Sequence, residues 1–319
     1  MDKIEKQVEK AMLCMTRQCW EQGVAAQALT ELGHMEEASL IVYDMVLRQS
    51  SDGRLCNVEN TPAVTDSAFC VPAVYEVAEK TGKEQYKEAV RKNIEFFLQD
   101  ARRAEDGTLY HMIDTTDIWA DSAAFLPCAL ALTGHVKEGI AQMDGSRRRL
   151  YDEKSGLYFH MWNEEKQTYT REVLWGIGNG WILTGLMRLY RIVKEEDISE
   201  AERIRQEMMR LLDRMLDMLD EENLLHDALD RADSFQESES SAMLAYVIYS
   251  LEPLGMVQTD YLERAEKIRK ALLTKVTGEG LILDACSSPD FIRPGTAVEC
   301  QAHFLMMEAA RRRTGSLPL

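Results

Sequence analysis

Two patterns of apolar positions alternate along the chain. In the first, nearly every residue is small or apolar: 24–33 (VAAQALTELG), 68–82 (AFCVPAVYEVAEKTG), 122–135 (SAAFLPCALALTGH), 182–193 (ILTGLMRLYRIV), 241–255 (SAMLAYVIYSLEPLG) and 300–313 (CQAHFLMMEAARRR). In the second, apolar residues recur every three or four positions within charged sequence, as in 36–49 (EEASLIVYDMVLRQ), 83–101 and 199–219 (SEAERIRQEMMRLLDRMLDML). Both spacings are helical. A helix apolar on all sides belongs inside a protein, and one with a single apolar stripe belongs on its outside.

Each apolar segment follows a short lead-in carrying Trp, Asp or Glu. The lead-ins are Trp20 to Gly23, Asp66-Ser67, Trp119-Ala-Asp121, Gly178-Asn-Gly-Trp181, Glu237 to Ser240, and Val298-Glu299. Successive anchors at 20, 66, 121, 181, 237 and 299 lie about 46 to 62 residues apart, room for two helices and their loops. Six inner and six outer helices in alternation predict an all-α fold, an (α/α)6 barrel, with residues 1–319 as a single domain. An open stack of helical hairpins gives similar periodicity. The closed ring is preferred because the steps are uneven and the lead-ins hold no repeated consensus. In such a ring every inner helix starts on the same side, so the lead-ins converge on one mouth.

Composition narrows the chemistry. The formal charge of −17 repels phosphate backbones, which excludes nucleic acid as an expected partner. No apolar run approaches a membrane span, and MDKIEKQVEKAML at the start lacks the apolar core of a signal peptide. Seven cysteines, an odd number without metal-ligand spacing, read as buried small hydrophobes. A cytoplasmic protein without a metal site is the expectation. The pattern carries no information on oligomeric state.

Four of the five tryptophans (Trp20, Trp119, Trp175 and Trp181) fall at or beside lead-ins. Indoles stack on the apolar faces of sugar rings, and carboxylates and amides bind sugar hydroxyls, so the mouth is expected to hold a carbohydrate. The same tryptophans could instead plug the barrel. Asp66 and Asp121 occupy equivalent places in adjacent repeats. They could cap helices, or they could share a pocket in opposite protonation states, one acid and one base. His111 and His160 lie in aromatic loops as candidates for ligand contact or for ring packing. The glycines of WGIGNGW (175–181) are not a phosphate loop, because no strand precedes them and no Lys-Ser/Thr follows.

Three of these segments together resemble the unsaturated glucuronyl and rhamnogalacturonyl hydrolases, the glycoside hydrolase 88/105-like enzymes. They are Trp119-Ala-Asp121, WGIGNGW, and ESESSAMLAY (237–246), matching the family's W-x-D, W-G-R-G-N-G-W and E-T-S-x-S-A-M in order and spacing. The resemblance runs from Trp20 to the last helix and implies a six-hairpin barrel. It implies Asp121 as general acid/base and Asp66 as its partner. Trp20, His111, Trp119, His160, Trp175, Asn179, Trp181 and Glu237 are the expected sugar-site residues. The implied substrate is an oligosaccharide ending in a 4,5-unsaturated uronic acid, and the implied reaction, hydration of the C4=C5 enol ether, uses no cofactor. Two positions depart from the motifs: Ile177 replaces the arginine, and Glu239 replaces a hydroxyl. Ile177 cannot pair with a carboxylate, and Arg171 just upstream is a candidate substitute. A sugar-binding relative without turnover, or an epimerase or glycosidase of another α/α-barrel type, are the competing expectations.

Overall fold

The computed structural model describes residues 3–56, 62–286, 291 and 293–315. Among these, twelve α-helices alternate as the periodicity requires. The inner set is α2 (Cys19–Leu32), α4 (Val71–Thr81), α6 (Leu126–Leu132), α8 (Gly176–Val193), α10 (Ser238–Leu251) and α12 (Val298–Arg312). The outer set is α1 (Lys3–Met15), α3 (Met35–Leu47), α5 (Glu84–Glu95), α7 (Val136–Leu150), α9 (Ile198–Asp217) and α11 (Thr259–Thr274). Burial separates the sets. Every residue of α10 is buried, whereas α9 buries a stripe including Ile204, Met208, Leu211, Leu212 and Met215 and turns most of its charges outward.

The inner helices pack in sequence, α2 on α4, α4 on α6, α6 on α8, α8 on α10 and α10 on α12. Helix α12 then packs back on α2, and this closure excludes the open stack.

The two ends of the ring differ. Inner helices pass to outer ones through short links, two of which end a helix on a left-handed glycine, Gly33 (φ 81°) and Gly82 (φ 66°). Outer helices return to the mouth through longer segments that fold into short antiparallel strands. Strands β1 (Asp117–Trp119), β4 (Met161–Asn163) and β5 (Thr168–Arg171) form a three-stranded sheet. The pairs β2 (Tyr151–Asp152) with β3 (Leu157–Tyr158), β6 (Leu225–His226) with β7 (Gln236–Glu237), and β8 (Ala285–Cys286) with β9 (Pro294–Gly295) complete the rim. These two- to four-residue strands were not part of the helical expectation, because such segments are too short to show a period.

The lead-ins of α4 and α6 are 3-10 turns, Asp66–Phe69 and Ala120–Ala123. Neither aspartate caps a helix; Cys70 and Phe125 occupy the cap positions. Two glycines let neighbouring helices touch these turns. A Cβ on Gly23 of α2 would lie 2.5 Å from the Phe69 carbonyl carbon, and one on Gly185 of α8 would lie 1.9 Å from the Ala123 carbonyl oxygen. Real Cβ atoms do not approach so closely, so glycine is required for the helices to brace the turns that carry Asp66 and Asp121.

Candidate active site

A cavity of about 570 Å³ opens at the mouth of the ring. Its walls hold the four expected indoles, Trp20, Trp119, Trp175 and Trp181, with His111 and the apolar Phe69, Ile177 and Phe291. Four carboxylates line it: Asp66, Asp121, Glu239 and Glu299. Among the described residues, no Lys or Arg does.

Asp66 is 9% exposed, and burial, with repulsion from Asp121 and Glu299, raises its carboxyl to about 7. His111 stands beside it, with Nε2 3.6 Å from Oδ1. Burial lowers His111 to about 4 and so keeps the ring neutral. The ring stacks on Trp119 at 4.0 Å and 13°, and its Nδ1 meets the Thr65 hydroxyl at 2.7 Å.

Asp121 differs. Burial pushes its carboxyl up, but the hydrogen bond from His160, together with the fields of His160 and His111 and a backbone hydrogen bond, outweighs burial, and the net shift is downward. The direction of that bond follows from its far end. Arg171 Nη1 lies 2.6 Å from His160 Nδ1, and a guanidinium can only donate, so Nδ1 must accept. The ring proton therefore sits on Nε2 and is donated to Asp121 Oδ2 at 3.2 Å. Arg171 also donates to the Phe291 carbonyl at 2.7 Å and lies over the Trp175 ring. Strand β5 thus orders Arg171, His160 and Asp121 in series. Two acids in one cavity are held in opposite states, Asp66 toward neutral and Asp121 toward ionised.

Three expected site residues lie off the cavity. His160 is fully buried behind the cavity wall, stacked on Trp175 at 4.1 Å and hydrogen-bonded to Asp121. The Asn179 side chain is spent on backbone: it accepts from Tyr158 N at 2.9 Å and donates to the carbonyls of Tyr158 (3.0 Å) and Trp175 (2.9 Å). Glu237 is the N-cap of α10, accepting from Ser240 N at 2.6 Å, Glu239 N at 3.1 Å and Cys286 N at 3.2 Å. Its burial raises it to about 7. Both are structural in this arrangement, because motif position alone does not show which way a side chain turns.

Glu299 was passed over among the expected site residues. It accepts from Trp20 Nε1 at 2.5 Å, tying α12 to α2 at the mouth, and burial raises it to about 7. It occupies the sixth lead-in, so the equivalence that marked Asp66 and Asp121 marks it too. Phe69 stands within the second lead-in. Cys286 and Phe291 come from the segment before α12, where no periodic signal exists.

A closed six-hairpin α/α barrel with carboxylates and indoles gathered in one mouth defines the architecture of a carbohydrate-active α/α-barrel protein. A model of glycosyl hydrolase family 88 matches residues 1–307, and the chain belongs to that family. It is 26% identical over 215 residues to the unsaturated rhamnogalacturonyl hydrolase YesR of Bacillus subtilis (strain 168). That match takes in 63% of this chain and 60% of the relative's length. Among solved structures, a possible GH105 member from Salmonella enterica serovar Paratyphi A superposes with a TM-score of 0.84 at 18% identity, covering 97% of this chain and 93% of the other. The unsaturated glucuronyl hydrolase of Bacillus sp. GL1 superposes with a TM-score of 0.67 at 14% identity, over 92% and 84%. At those identities the superpositions bear on the fold. Among the described residues no helix is long and apolar enough to cross a membrane, and no cluster of His, Cys, Asp and Glu could hold a metal ion.

Proposed function

We propose that the protein removes a terminal 4,5-unsaturated uronic acid from lyase-generated oligosaccharides by hydrating the C4=C5 enol ether. The observation that carries this reading is the pair Asp66 and Asp121, lining one indole-walled cavity in opposite protonation states. The names of the relatives supply the substrate class. Asp121 works at the reacting carbons, and Asp66 holds the pair's proton in the empty site. An arriving uronate adds negative charge, which raises Asp121 toward its protonated form.

Asp121 then protonates C4, and the positive charge that results is shared between C5 and the ring oxygen. Water adds to C5 and returns a proton to the carboxylate. The hemiketal so formed opens to a ketone and releases the aglycone. One carboxyl serves twice because donation and water activation occur in succession at adjacent atoms, and help of this kind is worth about 10²–10⁴ in rate. The His160 N–H orients Asp121 throughout. All seven cysteines are free thiols, which suits a reducing compartment, the cytoplasm.

The test follows the ultraviolet absorbance of the conjugated C4=C5 carboxylate, which hydration destroys. Loss of absorbance with the native protein, and not with Asp121→Asn of unchanged thermal stability, is the expected result. Binding without loss of absorbance, on pectin- and glycosaminoglycan-derived substrates alike, would replace this reading with a sugar-binding protein that does not turn over, the reading that Ile177 favours.

A further inference from the structure

A uronate carries a carboxylate, yet no cation among the described residues lines the cavity, and Ile177 occupies the place where an arginine would stand. The cavity instead presents Glu239, on the first turn of α10, 2% exposed. Its Oε1 makes no hydrogen bond among the described residues.

The neighbours of Glu239 give it no counter-charge. Glu299 and Asp121 line the cavity with it, and Glu237 lies two residues before it in the cap. On α12 the ring of His303 has Nδ1 3.6 Å from Glu239 Oε1, beyond hydrogen-bonding range. That Nδ1 donates instead to the Glu299 carbonyl at 2.9 Å, and burial lowers the ring to about 3, so it is neutral. The thiol of Cys300 is buried and protonated. An ionised Glu239 would be a buried charge among like charges, which is the costly arrangement. Burial, with Glu299, Glu237 and Asp121, accordingly holds its carboxyl well above the ordinary range.

As the neutral acid, Glu239 is a hydrogen-bond donor whose Oε1 has no partner among the described residues. Trp119 presents a second one, since its Nε1 lines up with no acceptor among the described residues and its ring is in the same wall. Unmet donors call for a ligand group rich in acceptors.

We propose that Glu239 recognises the carboxylate of the substrate's uronic acid, donating a carboxylic-acid hydrogen bond where an arginine is absent. This rests on the uronyl reading given above and names the specificity residue within it. An O–H donor to a carboxylate makes a short, charge-assisted bond, about twice as strong as a neutral one. It also selects: the bond is lost when the ligand's carboxylate is esterified, and a cationic group at the same place would have to strip the proton first.

Binding can be measured apart from hydration by using a saturated glucuronic acid disaccharide, which has no C4=C5 bond, and its neutral methyl ester. Calorimetry in mildly acidic buffer favours the protonated form of Glu239, whose carboxyl burial holds above the ordinary range. The native protein should bind the acid about tenfold or more tightly than the ester. Glu239→Gln keeps a neutral donor of the same shape and should retain most of that preference. Glu239→Ala should abolish it, bringing the acid to the affinity of the ester. Should the alanine variant fail to fold, the glutamine variant still decides.

Loss of the preference in Glu239→Gln would overturn the proposal, because a group that must be a carboxylate is accepting from the ligand. Tighter binding of a free-amine hexosamine by the native protein, lost in that variant, would identify such a cation site. Equal affinity of the native protein for acid and ester would overturn it as well. Hydration and this preference fail independently: an acid preference set by Glu239 without loss of absorbance would sink the hydrolase and leave the recognition standing.

Discussion

Replacing Asp66 by Asn should stabilise the folded protein in neutral and alkaline solution while impairing catalysis. In the unfolded chain Asp66 releases its proton near 3.8, and in the folded chain only near 7. Below 3.8 both states hold the proton and the group is neutral to stability. As pH rises from there, the folded chain keeps a proton that the unfolded chain has lost, so stability falls until the folded group ionises near 7 and stays reduced above it. The gap is about three powers of ten in proton affinity, and at about 1.4 kcal/mol for each the penalty above pH 7 is about 4 kcal/mol. Asn cannot ionise and escapes it. With an unfolding entropy of about 2.1 cal/mol/K per residue over 319 residues, that amounts to a rise in Tm of about 6 °C at pH 8. Thermal melts of both proteins from pH 4 to pH 9 test this. The difference should be small at pH 4, grow through neutrality and level off near pH 8. A difference independent of pH, or a variant less stable than the native protein at pH 8, would refute the assignment of a buried, uncompensated carboxyl at this position.

Two further outcomes follow from the geometry. Arg171→Met removes the donor that fixes the His160 tautomer and weakens the bond to Asp121. The depressed Asp121 carboxyl should move back up toward its ordinary range, and the alkaline limb of the kcat/KM profile, set by loss of the proton Asp121 must donate, should move to higher pH with it. Lower activity with an unmoved limb would show that Arg171 acts only as packing. Trp181→Ala should cost about 3–5 kcal/mol of stability as well as sugar affinity, because the indole is 3% exposed and meets Phe69 at 5.3 Å, Phe125 at 6.3 Å and His303 at 4.9 Å. A denaturant titration that leaves stability unchanged would make Trp181 a ligand platform alone; the sequence allowed either role, and the ring contacts assign it both.

The alternation of wholly apolar and striped segments determined the twelve helices, because helical period and the width of an apolar face are local properties of the chain. The lead-ins of the inner helices were legible for the same reason, and with them Asp66, Asp121 and the four tryptophans as neighbours around one mouth. Closure of the ring was not, since an open stack of hairpins has the same local pattern; only the packing of α12 on α2 decided it. Side-chain direction was not legible either. Asn179 and Glu237 belong to the motifs as fully as Trp181 does, yet the first pins the Tyr158 backbone and the second caps α10. Electrostatics came last of all. Asp66 and Asp121 are the same residue type in equivalent repeats, and they part company because His160, steered by Arg171 from a strand about 50 residues downstream, donates to one of them and not to the other. A charge's state depends on what surrounds it in space, and those surroundings are assembled from segments that no local pattern connects.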